Sequence, residues 1–463
     1  MKKKSKSKKL WGGGYRKPTA KAVERFTSSI AVDQRLAMED LDVATAHAKM
    51  LGKCKIIPRT VSKQLVQGLA KVRRDWQRGK IDIDPSAEDI HSVLYAALEK
   101  RIGKTAEHLN TARSRNDQVI TDTKLYCLRV VESLTDQIQK LQRVILRTAR
   151  QHKTLIVPAY THLQHAQPVL WAHALLGYCE ALERDKGRLE QLAKRLDELP
   201  LGSGAIAGTG LPIDRKYVAR ELGFSRVAAN SIDIVSDRDS LLELVSALAI
   251  LGIHLGRVAE DLIIWSSPGF GYVQLDESVC TGSSMMPQKQ NPDFLELTRA
   301  GAGALQGHWT GLASVLKGIP SGYNRDLQMD KVHLFSACDT ATGMLEVLIA
   351  GFQGLTINKT KVSIALQDQG LYATDLAEYL VAKGVAFAQA HRISGEVMRY
   401  CRKSNKRFSQ LSLTQLKKLS DQLELDAKKL FDPVCSVKRK QSFGSTQTTQ
   451  VQAQLKHWQQ KLR

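Results

Sequence analysis

The stretch Thr281-Gly-Ser-Ser-Met-Met-Pro-Gln-Lys-Gln-Asn-Pro-Asp293 gathers a glycine, two adjacent hydroxyls, a lysine and an asparagine ahead of a helix start. Gly282, Ser283 and Ser284 are too small and polar for a core, so they predict a mobile loop with many free N–H donors. Pro292 fits a first helical position, and Asn291 before it fits an N-cap. Lys289 beside a helix N-terminus opposes the helix dipole, and a cation there needs a reason. Holding an anion supplies one.

Three further polar islands interrupt long apolar patterns: Ser114 to Gln118, Thr161 to Gln167, and Tyr323 to Lys331. With the first loop they supply cations (Arg115, Lys289, Arg325, Lys331), amides (Asn116, Asn291, Gln328), hydroxyls (Thr161, Ser283, Tyr323) and the imidazole of His162. Such a set suits carboxylate binding and proton transfer near neutral pH. Taken singly, His162 could be a surface cap, Ser283 an ordinary loop hydroxyl, and Ser29 a helix-entry residue. No HxxxH or HExxH spacing is present, so no metal site is expected. Gly202-Ser-Gly-Ala-Ile-Ala-Gly208 follows no strand and has its third glycine displaced, which excludes a dinucleotide loop.

The elements that must present these islands read as helices. Leu128, Val131, Leu134, Ile138, Leu141 and Ile145 recur at spacings of 3, 3, 4, 3 and 4, a bundle seam sustained to about His152. Further long helices are expected from Pro168 to about Leu196, Ser240 to Trp265, Pro292 to about Lys317, and near Leu327 to about Gly354. Pro58 precedes a helix to about Gly79, and Asp84-Pro85 reads as a capped start to another. No clear run of alternating strands appears. The fold class is therefore all-α, in three helical domains: 1–112, whose first ten residues read as a disordered basic tail; a central long-helix bundle, 113–363; and a small C-terminal domain, 364–463. Seams this long and apolar predict oligomerisation through the central helices.

Composition narrows the function classes. The chain of 463 residues is 43% hydrophobic and only 6% aromatic, which suits long helices rather than a β-sandwich. No apolar run follows the basic N-terminus, so no signal peptide is expected. The apolar stretch near Leu241 to Trp265 contains Glu243, His254, Arg257, Glu260 and Asp261, and so predicts a buried helix rather than a membrane span. Seven cysteines without a CxxC pair point to free thiols in a reducing cytoplasm. The net charge is +22, with six lysines in the first nine residues. No nucleic-acid-binding motif accompanies it, so the expected partners are small anions rather than nucleic acid.

Joined together, these islands resemble the argininosuccinate lyase and delta crystallin family of the fumarase/aspartase superfamily. The superfamily loop, Gly-Ser-Ser-x-Met-Pro-x-Lys-x-Asn-Pro, is met in full by Gly282 to Pro292. Ser114-Arg-Asn-Asp-Gln118, Tyr160-Thr-His-Leu-Gln164 with Ala166-Gln-Pro168, Asn230-Ser231 with Val235-Ser-Asp-Arg-Asp239, and Tyr323-Asn-Arg-Asp-Leu-Gln328 narrow it to that family. The match runs from Trp11 to near the C-terminus.

The resemblance implies reversible cleavage of argininosuccinate to arginine and fumarate, without metal or organic cofactor. It also implies a homotetramer whose long helices form a shared core, with each active site built from three subunits. By that resemblance Ser283 is the general base, and His162, oriented by Glu296, lies on the acid side. Lys289 and Asn291 hold the developing charge, and Ser29, Arg115, Asn116, Thr161, Tyr323, Gln328 and Lys331 contact substrate. The chain departs from the family at Gly14, at Asn110 where a histidine is common, at Gln290 in place of a second lysine, and at Met329 in place of an acid. A lyase for adenylosuccinate or aspartate, a non-catalytic crystallin-like protein and a nucleic-acid binder using the basic tail are the alternatives.

Overall fold

The computed structural model describes residues 19–463. The expected basic tail and the departure at Gly14 lie outside the described residues. Helices of ten or more residues are numbered here in chain order. They are α1 (Ala37–Lys53), α2 (Arg59–Gln77), α3 (Ile90–Ile102), α4 (Arg115–Gln151), α5 (Trp171–Leu196), α6 (Asp239–Ser266), α7 (Asp293–Leu316), α8 (Asp330–Gln353), α9 (Ala373–Ala382), α10 (Phe387–Lys403) and α11 (Thr448–Lys461). Strand content among the described residues is three two-stranded pairs. The all-α expectation holds.

Contacts divide the chain into two compact units. Among the described residues one comprises 19–133, 188–249 and 304–339; the other comprises 134–187, 250–303 and 340–463. Every break falls inside one of the five helices α4 to α8. In the first unit, α1, α2 and α3 form a core around Leu41, Leu65, Leu69, Ile90 and Leu98, all at most 2% exposed. Gly68 lets α2 approach α3 closely, since a Cβ there would meet Leu98 at 2.7 Å. In the second unit, Leu376, Leu380, Val397, Phe408 and Leu416 close a smaller core of the C-terminal helices. The seam read from α4 is real: Val131, Leu134, Ile138, Leu141 and Ile145 are all buried.

Local chemistry moves three of the expected starts. Asp84 does not cap a helix; its carboxylate accepts from the Ser86 N–H at 2.8 Å, making a turn. The cap is Asp89, which accepts from Ser92 N at 2.7 Å and begins α3 at Ile90. Asn291 is not an N-cap either. It pairs antiparallel with Thr281, through Asn291 N to Thr281 O at 2.8 Å and Thr281 N to Asn291 O at 3.1 Å, and α7 starts at Asp293. The third shift concerns the connection before α5. Residues Ile156–Thr161 (β1) and Gln164–Leu170 (β2) form an antiparallel hairpin, so Pro168 lies in a strand and α5 begins at Trp171. Two prolines and a bulge between Pro158 and Tyr160 hide the alternation that would have announced it.

Candidate active site

In the first unit the N-terminus of α4 is a fixed polar node. Asp117 has no exposed surface and accepts three backbone N–H groups: Ser114 at 3.0 Å, Gly202 at 2.9 Å and Gly204 at 2.8 Å. It thus caps α4 and ties down the 202–208 turn. That turn needs glycine at 204, whose φ is +61° and where a Cβ would meet the Gly208 carbonyl at 2.6 Å. Burial, opposed by these donors, pushes the Asp117 carboxyl up to about 6. Arg115 is held by Asp89 at 2.9 Å and by the Gln118 carbonyl at 2.9 Å, so its guanidinium is aimed by the cap of α3. The Asn116 amide donates to Ala205 O at 3.1 Å.

Three more candidate groups in this unit, Ser29, Gln328 and Lys331, are also anchored by hydrogen bonds. Ser29 donates to Asp33 at 2.5 Å, and buried Asp33 also accepts from Ile90 N at 3.0 Å. Gln328 and Arg325 donate to Thr27 O, at 3.2 and 2.7 Å. Lys331 is 3% exposed and bonds Asp330 at 2.8 Å; Asp330 is fully buried and also receives Arg238 at 2.5 Å. Burial alone would raise the Asp330 carboxyl, but the two cations outweigh it and hold it below its usual value. Tyr323 is half-buried, and burial pushes its hydroxyl up.

Beneath this node lies a buried trio, Asp40, His91 and Asp122, whose ligand atoms fall within 4.8 Å of one another. Its geometry is that of a polar network. His91 Nδ1 is 3.0 Å from Asp40, Gln118 donates to Asp40, and half-buried Arg113 acts electrostatically on both carboxyls. Asp122 makes no hydrogen bond, and burial followed by the Asp40 charge pushes its carboxyl well up, toward the neutral form.

In the second unit two loops carry the remaining candidates. The hairpin turn between Thr161 and Gln164 consists of His162 and Leu163, with φ of +55° and +56°. Two left-handed residues are what a tight I′ turn demands, and Asn-Gly normally supplies them. Using His-Leu instead costs roughly 1–2 kcal/mol per residue, and strain of this kind gathers at functional positions. The hairpin is braced below the turn: His165 bonds Asp368 at 2.7 Å and the Tyr160 hydroxyl at 2.9 Å, and Tyr160 bonds Tyr272.

The other loop is pinched at its neck by the Thr281–Asn291 pairing, by the Thr281 hydroxyl on Asp293, and by the Asn291 amide on Gly282 O. Inside it, Ser283 Oγ accepts from the N–H groups of Met285 at 3.2 Å and Met286 at 3.0 Å. Two N–H dipoles aimed at one oxygen favour negative charge on it. Lys289 is exposed, and among the described residues no carboxylate pairs with its side chain. Glu296 is exposed in the first turn of α7, and no hydrogen bond joins it to His162 within the described residues. The twelve candidates therefore fall into two sets, six in each unit. The sequence reading missed Asp89, Asp117, Arg238 and Asp330 as anchors, although three of them sit inside or beside the motifs quoted for the family.

Long helices thus present polar loops rich in amides and cations, one of them holding Ser283 Oγ against two N–H groups. A lyase family model matches residues 13–307, and a model of the argininosuccinate lyase C-terminal region matches 370–438. An argininosuccinate lyase of Sulfurihydrogenibium sp. is 44% identical over 451 residues, covering 97% of this chain and 98% of that one. Another, of Caldicellulosiruptor saccharolyticus, is 42% identical over 455 residues, covering 98% of each. Among solved structures, EDDS lyase in complex with formate superposes with a TM-score of 0.82 at 24% identity, covering 96% of this chain and 90% of that one. Recombinant class II fumarase from Schistosoma mansoni gives 0.76 at 16%, covering 89% and 94%; both likenesses speak to fold alone. The chain belongs to the argininosuccinate lyase family and is an enzyme of the lyase class.

Proposed function

We propose that the chain catalyses the reversible β-elimination of L-argininosuccinate to L-arginine and fumarate, a step of arginine biosynthesis, in the cytoplasm. The observation that carries the chemistry is Ser283 Oγ facing two backbone N–H groups in a loop that also bears Lys289. A serine hydroxyl is a poor base in water. Dipoles on its oxygen and a nearby ammonium make its alkoxide accessible. In the proposed reaction Ser283 takes the proton beside a carboxylate, and the C–H electrons form the alkene. The C–N electrons leave with the guanidino nitrogen, which His162, oriented by Glu296, helps to protonate. Lys289 and Asn291 hold the dianionic intermediate. Ser29, Arg115, Asn116, Thr161, Tyr323, Gln328 and Lys331 position the substrate, and no metal or organic cofactor takes part.

The assembly we propose is a homotetramer whose central helices, within the division 1–112, 113–363 and 364–463, form a shared core. Each site would then draw on three subunits. Ile253 on α6, Leu297 and Trp309 on α7 and Val332 on α8 support this reading: they are 44%, 71%, 42% and 37% exposed in the single chain. Large apolar groups on long helices call for a covering partner. Fumarate release from argininosuccinate, followed by ultraviolet absorbance with adenylosuccinate and aspartate as comparison substrates, tests the function. Purified tetramer that releases no fumarate from argininosuccinate would overturn it.

A further inference from the structure

The second unit holds a groove of about 710 Å³ between the C-terminal part of α4 and α11. Its two walls are built alike. Arg143, Arg147 and Arg150 lie at spacings of four and three on α4, so they share one face, and Lys153 follows just beyond the helix. On the other wall Gln452, Lys456, Gln459 and Arg463 recur at four, three and four. Arg143 joins the walls by donating to Leu462 O at 3.0 Å. The floor is apolar, made by Leu146, Leu455 and Leu462, each nearly buried.

No side-chain carboxylate lines this groove. Among the described residues Arg147, Arg150, Lys153, Lys456 and Arg463 make no ion pair, whereas Lys461, one turn away on α11, pairs with Glu183 at 3.1 Å. The side chains of Arg147, Arg150, Lys153 and Lys456 around one apolar floor repel each other, and a bound polyanion would relieve that repulsion. Arginine forks match phosphate oxygens two at a time. The volume is that of a small-ligand site, and it exceeds what a dicarboxylate such as fumarate would fill.

We propose that this groove is a second ligand site, outside the catalytic loops, that binds an anion carrying a phosphate chain. Inorganic triphosphate and a nucleoside triphosphate share that chemistry; the apolar floor has room for the base of the latter. Calorimetry on the assembled full-length enzyme, with inorganic triphosphate and with ATP in separate titrations, tests the proposal. Arg147→Glu/Arg150→Glu should weaken binding of both by at least about tenfold and leave basal fumarate release unchanged, since neither residue belongs to the catalytic set. The exposed control pair Lys403→Glu/Lys406→Glu should leave binding unchanged. ATP binding tighter than triphosphate would place a nucleoside on the leucine floor, and equal affinity would restrict the site to the phosphate chain. Equal loss in both variant pairs, no binding by wild type, or a groove whose charge reversal affects only retention of DNA or RNA would overturn it.

Discussion

Arg115, in the first unit, and Ser283, in the second, are both proposed to act on substrate and are built in opposite ways. Arg115 is clamped by Asp89 and Gln118, and its neighbour Asp117 is fully buried under three N–H donors. Lys331, in the same unit, is likewise locked by a buried carboxylate. Ser283 sits in a loop whose residues 284–290 are all exposed, fastened mainly at its neck. The groups proposed to hold substrate in the first unit are thus fixed beforehand, while the proposed base rides on an exposed loop of the second. That division fits a loop which must open for substrate and close to exclude water. It also separates the consequences of mutation: changes at the loop should affect turnover, and changes at the node should affect stability.

The sharpest way to break this contrast is Ser283→Ala. Turnover should fall by at least about a thousandfold while thermal stability and assembly stay at wild-type values, because the removed oxygen serves only two exposed N–H groups. Retained fumarate release would remove Ser283 from the role of base. The opposite behaviour is expected of Asp330→Ala, which strands Arg238 and Lys331 in the interior. Denaturant unfolding should show a loss of about 3–5 kcal/mol. A loss below about 1 kcal/mol would show that the node is less rigid than its burial implies.

The node should also respond to acid. His47 is buried, with Nε2 on Thr111 O at 2.8 Å; burial, then the Arg113 charge, lowers it to about 3. An unfolded histidine titrates near 6.5, so between about pH 6.5 and 3 the unfolded chain binds the extra proton. Stability from neutral His47 is therefore present above that window and lost as pH falls through it, by on the order of 5 kcal/mol at its lower end. His47→Gln should flatten the slope of stability against pH over this range. An unchanged slope would assign acid unfolding to other groups.

Much of this was legible beforehand. Apolar spacing alone located α4, α6 and α8 to within a few residues, because a seam such as Leu134, Ile138, Leu141 and Ile145 has only one helical solution. The polar islands stood out because helix interiors do not need them. What sequence could not supply was partnership. Asp89 reads as an ordinary acid until its carboxylate is seen to cap α3 and hold Arg115 at once. Asp117 is only one letter of a motif until the distant Gly202 and Gly204 amides arrive on it. The hairpin was missed for a local reason: its turn uses His162 and Leu163 in conformations that the usual turn residues adopt more cheaply.

That hairpin provides the smallest and most discriminating test, since it lies between the two extremes. Its turn is strained and exposed, yet its strands are braced by Asp368, His165, Tyr160 and Tyr272 in sequence. The Gly370 N–H also donates to Asp368 at 2.9 Å. Burial would raise the Asp368 carboxyl, but the His165 bond and this N–H outweigh it and keep it below its usual value. The His165–Asp368 pair is partly exposed, at 28% and 48%, so its direct contribution to stability is below about 1 kcal/mol. Its larger effect should be on where His162 points. His165→Phe removes both bonds and should lower turnover by about threefold to tenfold with unfolding scarcely changed, whereas Asp368→Asn, which still accepts a bond, should lower it by less. If His165→Phe destabilises the protein instead, the hairpin belongs with the packed node. If neither variant changes turnover, the turn and bulge hold His162 without the brace.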